Sequence, residues 1–163
     1  MNITPPLPRE PKRDDNSIKI WRAFVETWKL WKRSVDSNFS SVNLDSTSYS
    51  VLRNLAENGP TTMVRMASLT NVTQGWITGI IDNLEKQGLV VRRRSSEDRR
   101  KIDLIITDSG MRRFREAKKI HLEFIERCLS GIDDLSAETL LKSLETLKNS
   151  IAEKNAPFGK SSK

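Results

Sequence analysis

Apolar residues recur in steps of three and four along most of this chain, and the pattern breaks at a few glycines, prolines and capping residues. From Ser17, a suitable N-cap, the positions Trp21, Phe24, Trp28, Trp31 and Val35 form a heptad-like stripe that predicts a helix to about Phe39. A second helix begins at Asp45 or Ser46 and carries Tyr49, Leu52, Leu55 and Ala56. It stops at Asn58-Gly59-Pro60, where glycine supplies a left-handed cap and proline forbids continuation. Thr62 caps a short third helix with Met63, Met66, Ala67 and Leu69. After the turn Thr70-Asn71-Val72, Thr73 caps a fourth helix that reaches about Gln87 before Gly88 ends it. Two short helices around a tight turn predict a helix-turn-helix.

The period then changes. Leu89 to Arg93 is β-prone, and Ile102, Leu104 and Ile106 alternate with Asp103, Ile105 and Thr107. These runs predict an antiparallel hairpin across Arg94–Lys101. Thr107-Asp108-Ser109-Gly110 opens a long fifth helix, on which Phe114, Ala117, His121, Phe124 and Cys128 again step by three and four. Beyond Gly131, Leu135-Ser136 introduces a sixth helix with Leu140, Leu144, Leu147 and Ile151 on one face. The expected fold is mainly α (α+β): a winged helix-turn-helix with a two-stranded β-hairpin wing, flanked by N- and C-terminal dimerisation helices. The expected divisions are a flexible tail at 1–16, a dimerisation helix at 17–44, a DNA-binding domain at 45–107, dimerisation helices at 108–155 and a second tail at 156–163. The N-terminal tail holds four of the six prolines among charged residues, a composition that buries too little apolar surface to fold.

Composition adjusts this picture in three ways. With 163 residues, 36 % of them hydrophobic, the core is modest, which suggests apolar surface buried between subunits. The two end segments each show an unspent apolar stripe, and packing them within and across chains is the simplest way to bury it. A net charge of +7 favours an anionic partner, nucleic acid or an anionic membrane surface. No apolar run approaches the roughly 20 residues of a spanning helix, and no secretory signal is visible, so a cytoplasmic, non-membrane protein is expected. Cys128 is the sole cysteine and His121 the sole histidine, too few for a zinc finger or an intrachain disulfide. No metal, cofactor or catalytic site is expected. His121 lies at a helical step with no clustered nucleophile, so it reads as a packing or surface residue rather than an enzyme's.

The chemistry gathers on the fourth helix and the hairpin. Six of the twelve residues from Val90 to Lys101 are basic: Arg92, Arg93, Arg94, Arg99, Arg100 and Lys101. The fourth helix has an inward face of Ile77, Ile80, Ile81 and Leu84. Its outward face near the N-terminus holds Thr73, Gln74, Gly75, Trp76, Thr78 and Gly79. Short polar side chains at a helix N-terminus suit base edges in a major groove. Gln74 can bond adenine bidentately, and Thr73 or Thr78 can reach phosphate or a thymine methyl. Gly75 and Gly79 permit close approach of the backbone, at about 1 kcal/mol of helix stability each. Trp76 either packs on the third helix, the stronger expectation, or lies against the sugar-phosphate backbone. At the hairpin tip, Asp98 can hold the guanidinium of Arg100 in one orientation, which suits a narrow minor groove. The bland alternative is a solvated charge run. The three tryptophans Trp21, Trp28 and Trp31 are core packing, a subunit interface or the wall of an aromatic-ligand pocket.

From Trp21 to Ile151 the order and spacing of these elements resemble the MarR family of winged helix-turn-helix transcriptional regulators. The most specific matches are Val72-Thr73, Ile77-Thr78, Asp82 to Val90, Glu97 to Lys101 and Leu104 to Gly110. The resemblance implies a homodimer joined by the first, fifth and sixth helices. It implies a recognition role for the fourth helix and places Arg100 of the Asp98-x-Arg100 pair in the minor groove. It also implies release of DNA by a small phenolic or anionic ligand, for which Trp21, Trp28 and Trp31 are the candidate walls. Gly79 stands where the family often has arginine or another large polar residue, and Trp76 replaces a commonly small one, so neither contact carries over. Cys128 lies on the fifth helix, whereas oxidant-sensing relatives use a cysteine near the first, so redox sensing is not expected. The function so indicated is a sequence-specific, homodimeric regulator of double-stranded DNA at pseudo-palindromic sites. The alternatives are a sequence-tolerant architectural or chromatin-like DNA binder and a winged-helix protein adaptor.

Overall fold

A computed structural model of the chain describes residues 16–94 and 102–154. Among them are six helices, α1 (Asn16–Ser40), α2 (Ser46–Asn58), α3 (Met63–Thr70), α4 (Gln74–Lys86), α5 (Asp108–Leu129) and α6 (Asp134–Lys154). Three short strands complete the set: β1 (Thr61–Thr62), β2 (Val90–Arg94) and β3 (Ile102–Ile106).

Local side-chain chemistry sets most of the boundaries. Asp45 Oδ1 accepts the Ser48 N–H at 2.7 Å and caps α2. Thr62 Oγ1 and Thr73 Oγ1 accept the N–H groups of Arg65 and Trp76 and cap α3 and α4. Asn71 closes α3 in the left-handed region, at φ 53° and ψ 44°. Gly59 ends α2 with φ 77° but ψ −164°, so its positive φ fits the expectation while its ψ lies outside the left-handed helical well. Asp133 starts α6, accepting the Ser136 N–H at 3.0 Å and its hydroxyl at 2.8 Å. Ser17 is already inside α1 and is not its cap.

The sheet has three antiparallel strands in the order β1-β3-β2, one more than the expected hairpin. Thr61 pairs with Leu104 and Thr62 with Asp103. Two residues are too few to show alternation, so this strand left no periodic signal in the sequence. The β2–β3 hairpin pairs Val90 with Ile106 through to Arg94 with Ile102.

The chain divides into two compact units, residues 1–121 and 122–163. The first has a core of Phe39, Val51, Leu52, Leu55, Met66, Ile77, Ile81, Leu84, Val90 and Leu104, all wholly or almost wholly buried. Ile80 is only half-buried, at the rim of the expected inward face. An aromatic cluster extends this core. Phe39 stacks on Tyr49 with centroids 4.6 Å apart, and the His121 ring lies 5.4 Å from Phe39, 5.3 Å from Tyr49 and 6.2 Å from Trp31. His121 is therefore a packing residue, and burial, followed by the nearby charge of Arg53, lowers its pKa below the ordinary value. In the second unit Phe124 is buried, Cys128 is exposed, and Leu140, Leu141, Leu144 and Ile151 of α6 are exposed.

Candidate nucleic-acid interface

The α3–turn–α4 unit presents α4 by one side. Ile77, Ile81 and Leu84 are fully buried, which fixes the rotation of the helix about its axis. The opposite side is open: Thr73, Gln74, Gly75, Trp76, Thr78 and Gly79 are all exposed. The Thr78 hydroxyl donates to the Gln74 carbonyl at 2.8 Å, leaving its oxygen free to accept only. A Cβ added at Gly75 or Gly79 would meet nothing of the protein within 4 Å. Internal packing therefore does not demand either glycine, although each weakens the helix. Trp76 is 64 % exposed and lies outside the buried stripe of Ile77, Ile81 and Leu84, so the stronger expectation, a packed indole, is not met.

The wing root is held to α4 by charge. Arg92 Nη2 donates to Asp82 Oδ1 and Nη1 to Glu85 Oε2, each at 2.6 Å, and the Arg92 backbone N–H donates to Glu85 Oε1 at 3.1 Å. Burial works against this guanidinium's charge, but the hydrogen bond with Asp82 and the attraction of Glu85 and Asp82 outweigh it and raise its pKa. Arg92 thus faces inward and leaves the set of six basic residues available to a partner. Arg93 and Arg94 are exposed. Asp98, Arg99, Arg100 and Lys101 lie outside the described residues.

The open base of the hairpin is fastened to the start of α5. Thr107 Oγ1 donates to the Gly88 carbonyl at 2.7 Å and accepts the Gly110 N–H at 3.0 Å, while the Thr107 N–H donates to Leu89 at 3.0 Å. Gly110 is obligatory here, because a Cβ would fall 2.1 Å from the Leu89 carbonyl oxygen. Together with the Arg92 clamp, these bonds tie strand and helix into one body.

A cavity of about 200 Å³ opens beside α1 and α2, lined by Trp28, Trp31, Lys32, Val35, Ser46, Thr47, Ser50 and Thr70. Two of the three candidate walls, Trp28 and Trp31, line it. Trp21 does not; it lies 6.0 Å from Phe24, and its ring is half-exposed. The sequence reading missed Lys32, the hydroxyls of Ser46, Thr47 and Ser50, and the Asp82–Arg92–Glu85 clamp. The spacing Asp82-x-x-Glu85 on one helical face, just ahead of a basic strand, was the available signal for the clamp. Among the described residues no helix is long and apolar enough to cross a membrane.

Residues 44–102 match the model of the MarR family. The HTH-type transcriptional repressor YetL of Bacillus subtilis is 26 % identical over 136 residues, 82 % of this chain and 81 % of that protein. Among solved structures, the transcriptional repressor CouR bound to a 23-mer DNA duplex is 26 % identical with a TM-score of 0.73, covering 85 % of this chain and 99 % of that one. CouR from Rhodococcus jostii RHA1 bound to p-coumaroyl-CoA is 25 % identical with a TM-score of 0.70, covering 82 % and 94 %.

Proposed function

Because this chain belongs to the MarR family of transcriptional regulators, we propose that it is a sequence-specific regulator of double-stranded DNA acting as a homodimer. Its α4 enters the major groove of each half of a pseudo-palindrome, and the hairpin between β2 and β3 reaches the neighbouring minor groove. The observation that carries this reading is the open face of α4. Short polar groups and two bare glycines sit at the helix N-terminus, and internal packing requires neither glycine. The Arg92 clamp keeps the wing at a fixed distance from that helix. The exposed apolar faces of α6 and of the N-terminal half of α1 supply the surface a second copy would cover. In this arrangement residues 45–107 form the DNA-binding part, and 17–44 with 108–155 the dimerisation part.

The cavity on α1 and α2 is the effector site. Trp28 and Trp31 suit an aromatic ring and Lys32 an anionic group, while Thr70, the last residue of α3, puts any occupant next to the turn into α4. The p-coumaroyl-CoA held by CouR is an aromatic and anionic ligand of this general kind.

A gel-shift titration with specific and random duplexes tests the reading. Gln74→Ala should lower affinity for the specific site by roughly 1–3 kcal/mol and leave random DNA almost unaffected. An equal drop on both duplexes would assign Gln74 to phosphate and favour a sequence-tolerant architectural binder. Arg100→Ala should weaken operator binding by about 1–3 kcal/mol with dimerisation intact.

A further inference from the structure

Trp76 is the third residue of α4, and its backbone N–H is held by the Thr73 cap at 3.3 Å, so the first turn aims the side chain. The residue lies on one flank of the outward face, away from the flank that carries Thr78 and Glu85. Gly75 precedes it and Gly79 follows one turn later, both bordered by open space. The indole is therefore the one large side chain on the outward face of the first turn, standing on bare backbone. Leaving so much apolar ring in water is unfavourable without a partner. The helix-turn-helix and its hairpin carry exposed Arg65, Lys86, Arg93 and Arg94, a basic character that fits a polyanion better than a basic partner. On the floor of a DNA major groove, the large apolar group offered to such a ring is the C5-methyl of thymine.

We propose that Trp76 is a specificity-determining residue that reads a thymine methyl group in each half-site. The proposal rests on α4 being the recognition helix, and Gly75 and Gly79 then let the backbone come close enough for the ring to reach the base edge. Trp76 replaces a contact that most side chains at a helix N-terminus make through hydrogen bonds with one made through apolar area.

The test replaces each thymine of a selected duplex in turn by deoxyuridine, which removes the methyl and nothing else. Wild type, Trp76→Ala and Trp76→Phe are titrated against each duplex, with Gln74→Ala as a separate probe of α4. At one thymine per half-site, uracil should weaken wild type about fourfold, the worth of one buried carbon. Trp76→Phe should keep that sensitivity and Trp76→Ala should lose it. Equal methyl sensitivity in wild type and Trp76→Ala, or none at any thymine, overturns the proposal. If Gln74→Ala weakens specific binding while the methyl test is flat, only the Trp76 assignment fails. If neither variant changes affinity for the selected site, the reading of α4 as the recognition helix fails as well. Because Trp76 is exposed, its variants should keep the wild-type circular dichroism, which separates loss of contact from loss of fold.

Discussion

α4 and α6 carry the same apolar step and treat it in opposite ways. Ile77, Ile81 and Leu84 of α4 are fully buried, whereas Leu140, Leu144 and Ile151 of α6 remain 41–43 % exposed. The same contrast occurs within α1, where Val35 and Phe39 are buried while Trp21 and Trp28 are not. Three-and-four periodicity tells a helix which face will be covered, but not by what. For α4 the cover is the rest of its own lobe. For α6 and the first half of α1, a second copy of the chain is the cover we propose.

Truncations on the two helices should therefore fail in different assays. Ile81→Ala should cost roughly 2–5 kcal/mol of folding stability in urea denaturation, since it opens a cavity in a sealed core. A loss below about 1 kcal/mol would mean the core can collapse around the gap, and the contrast would weaken. Leu144→Ala should leave the folded chain almost as stable but weaken association by about 1.5–3 kcal/mol, read by sedimentation equilibrium. Unchanged self-association would remove this face of α6 from the interface.

The same contrast explains what could be read from sequence. Helix boundaries were legible because their determinants are local: Asp45, Thr62 and Thr73 each bond an N–H three residues on. The β2–β3 hairpin was legible from alternation. Strand β1 was not, because Thr61 and Thr62 become a strand only by meeting Leu104 and Asp103 far along the chain. Arg92 counted as one more basic residue until the fold turned it toward Asp82 and Glu85. Trp76 was expected to pack on the third helix, but it lies outside the buried stripe of α4 and stays exposed. In the candidate site, residue types and the polar helix N-terminus were legible, whereas which charges face outward depended on tertiary placement.

Smaller effects sharpen the comparison inside the lobe. Gly79→Ala meets open space, so it should stabilise α4 by up to about 1 kcal/mol and raise the melting temperature. Specific DNA affinity should fall at the same time if the glycine serves close backbone approach. A variant that is more stable and binds as well as wild type would separate Gly79 from the interface. The smallest effect concerns pH. The His121 pKa lies below its ordinary value near 6.5, so the unfolded chain binds the proton more readily than the folded one. Stability should be full above about pH 6.5 and decline as pH falls below it, until the folded-state histidine also protonates. His121→Phe should flatten that part of the stability–pH curve measured by thermal melts, and an unaltered slope would assign the dependence to other groups.

The central claim is that α4 reads bases rather than merely resting on phosphates, and selection of binding sites from a random duplex pool at fixed salt tests it most directly. The account predicts an enriched inverted repeat with half-site centres about one helical turn apart, bound at least about a thousandfold more tightly than random DNA. A pool that yields no enriched motif, with affinity set by salt concentration alone, would contradict it.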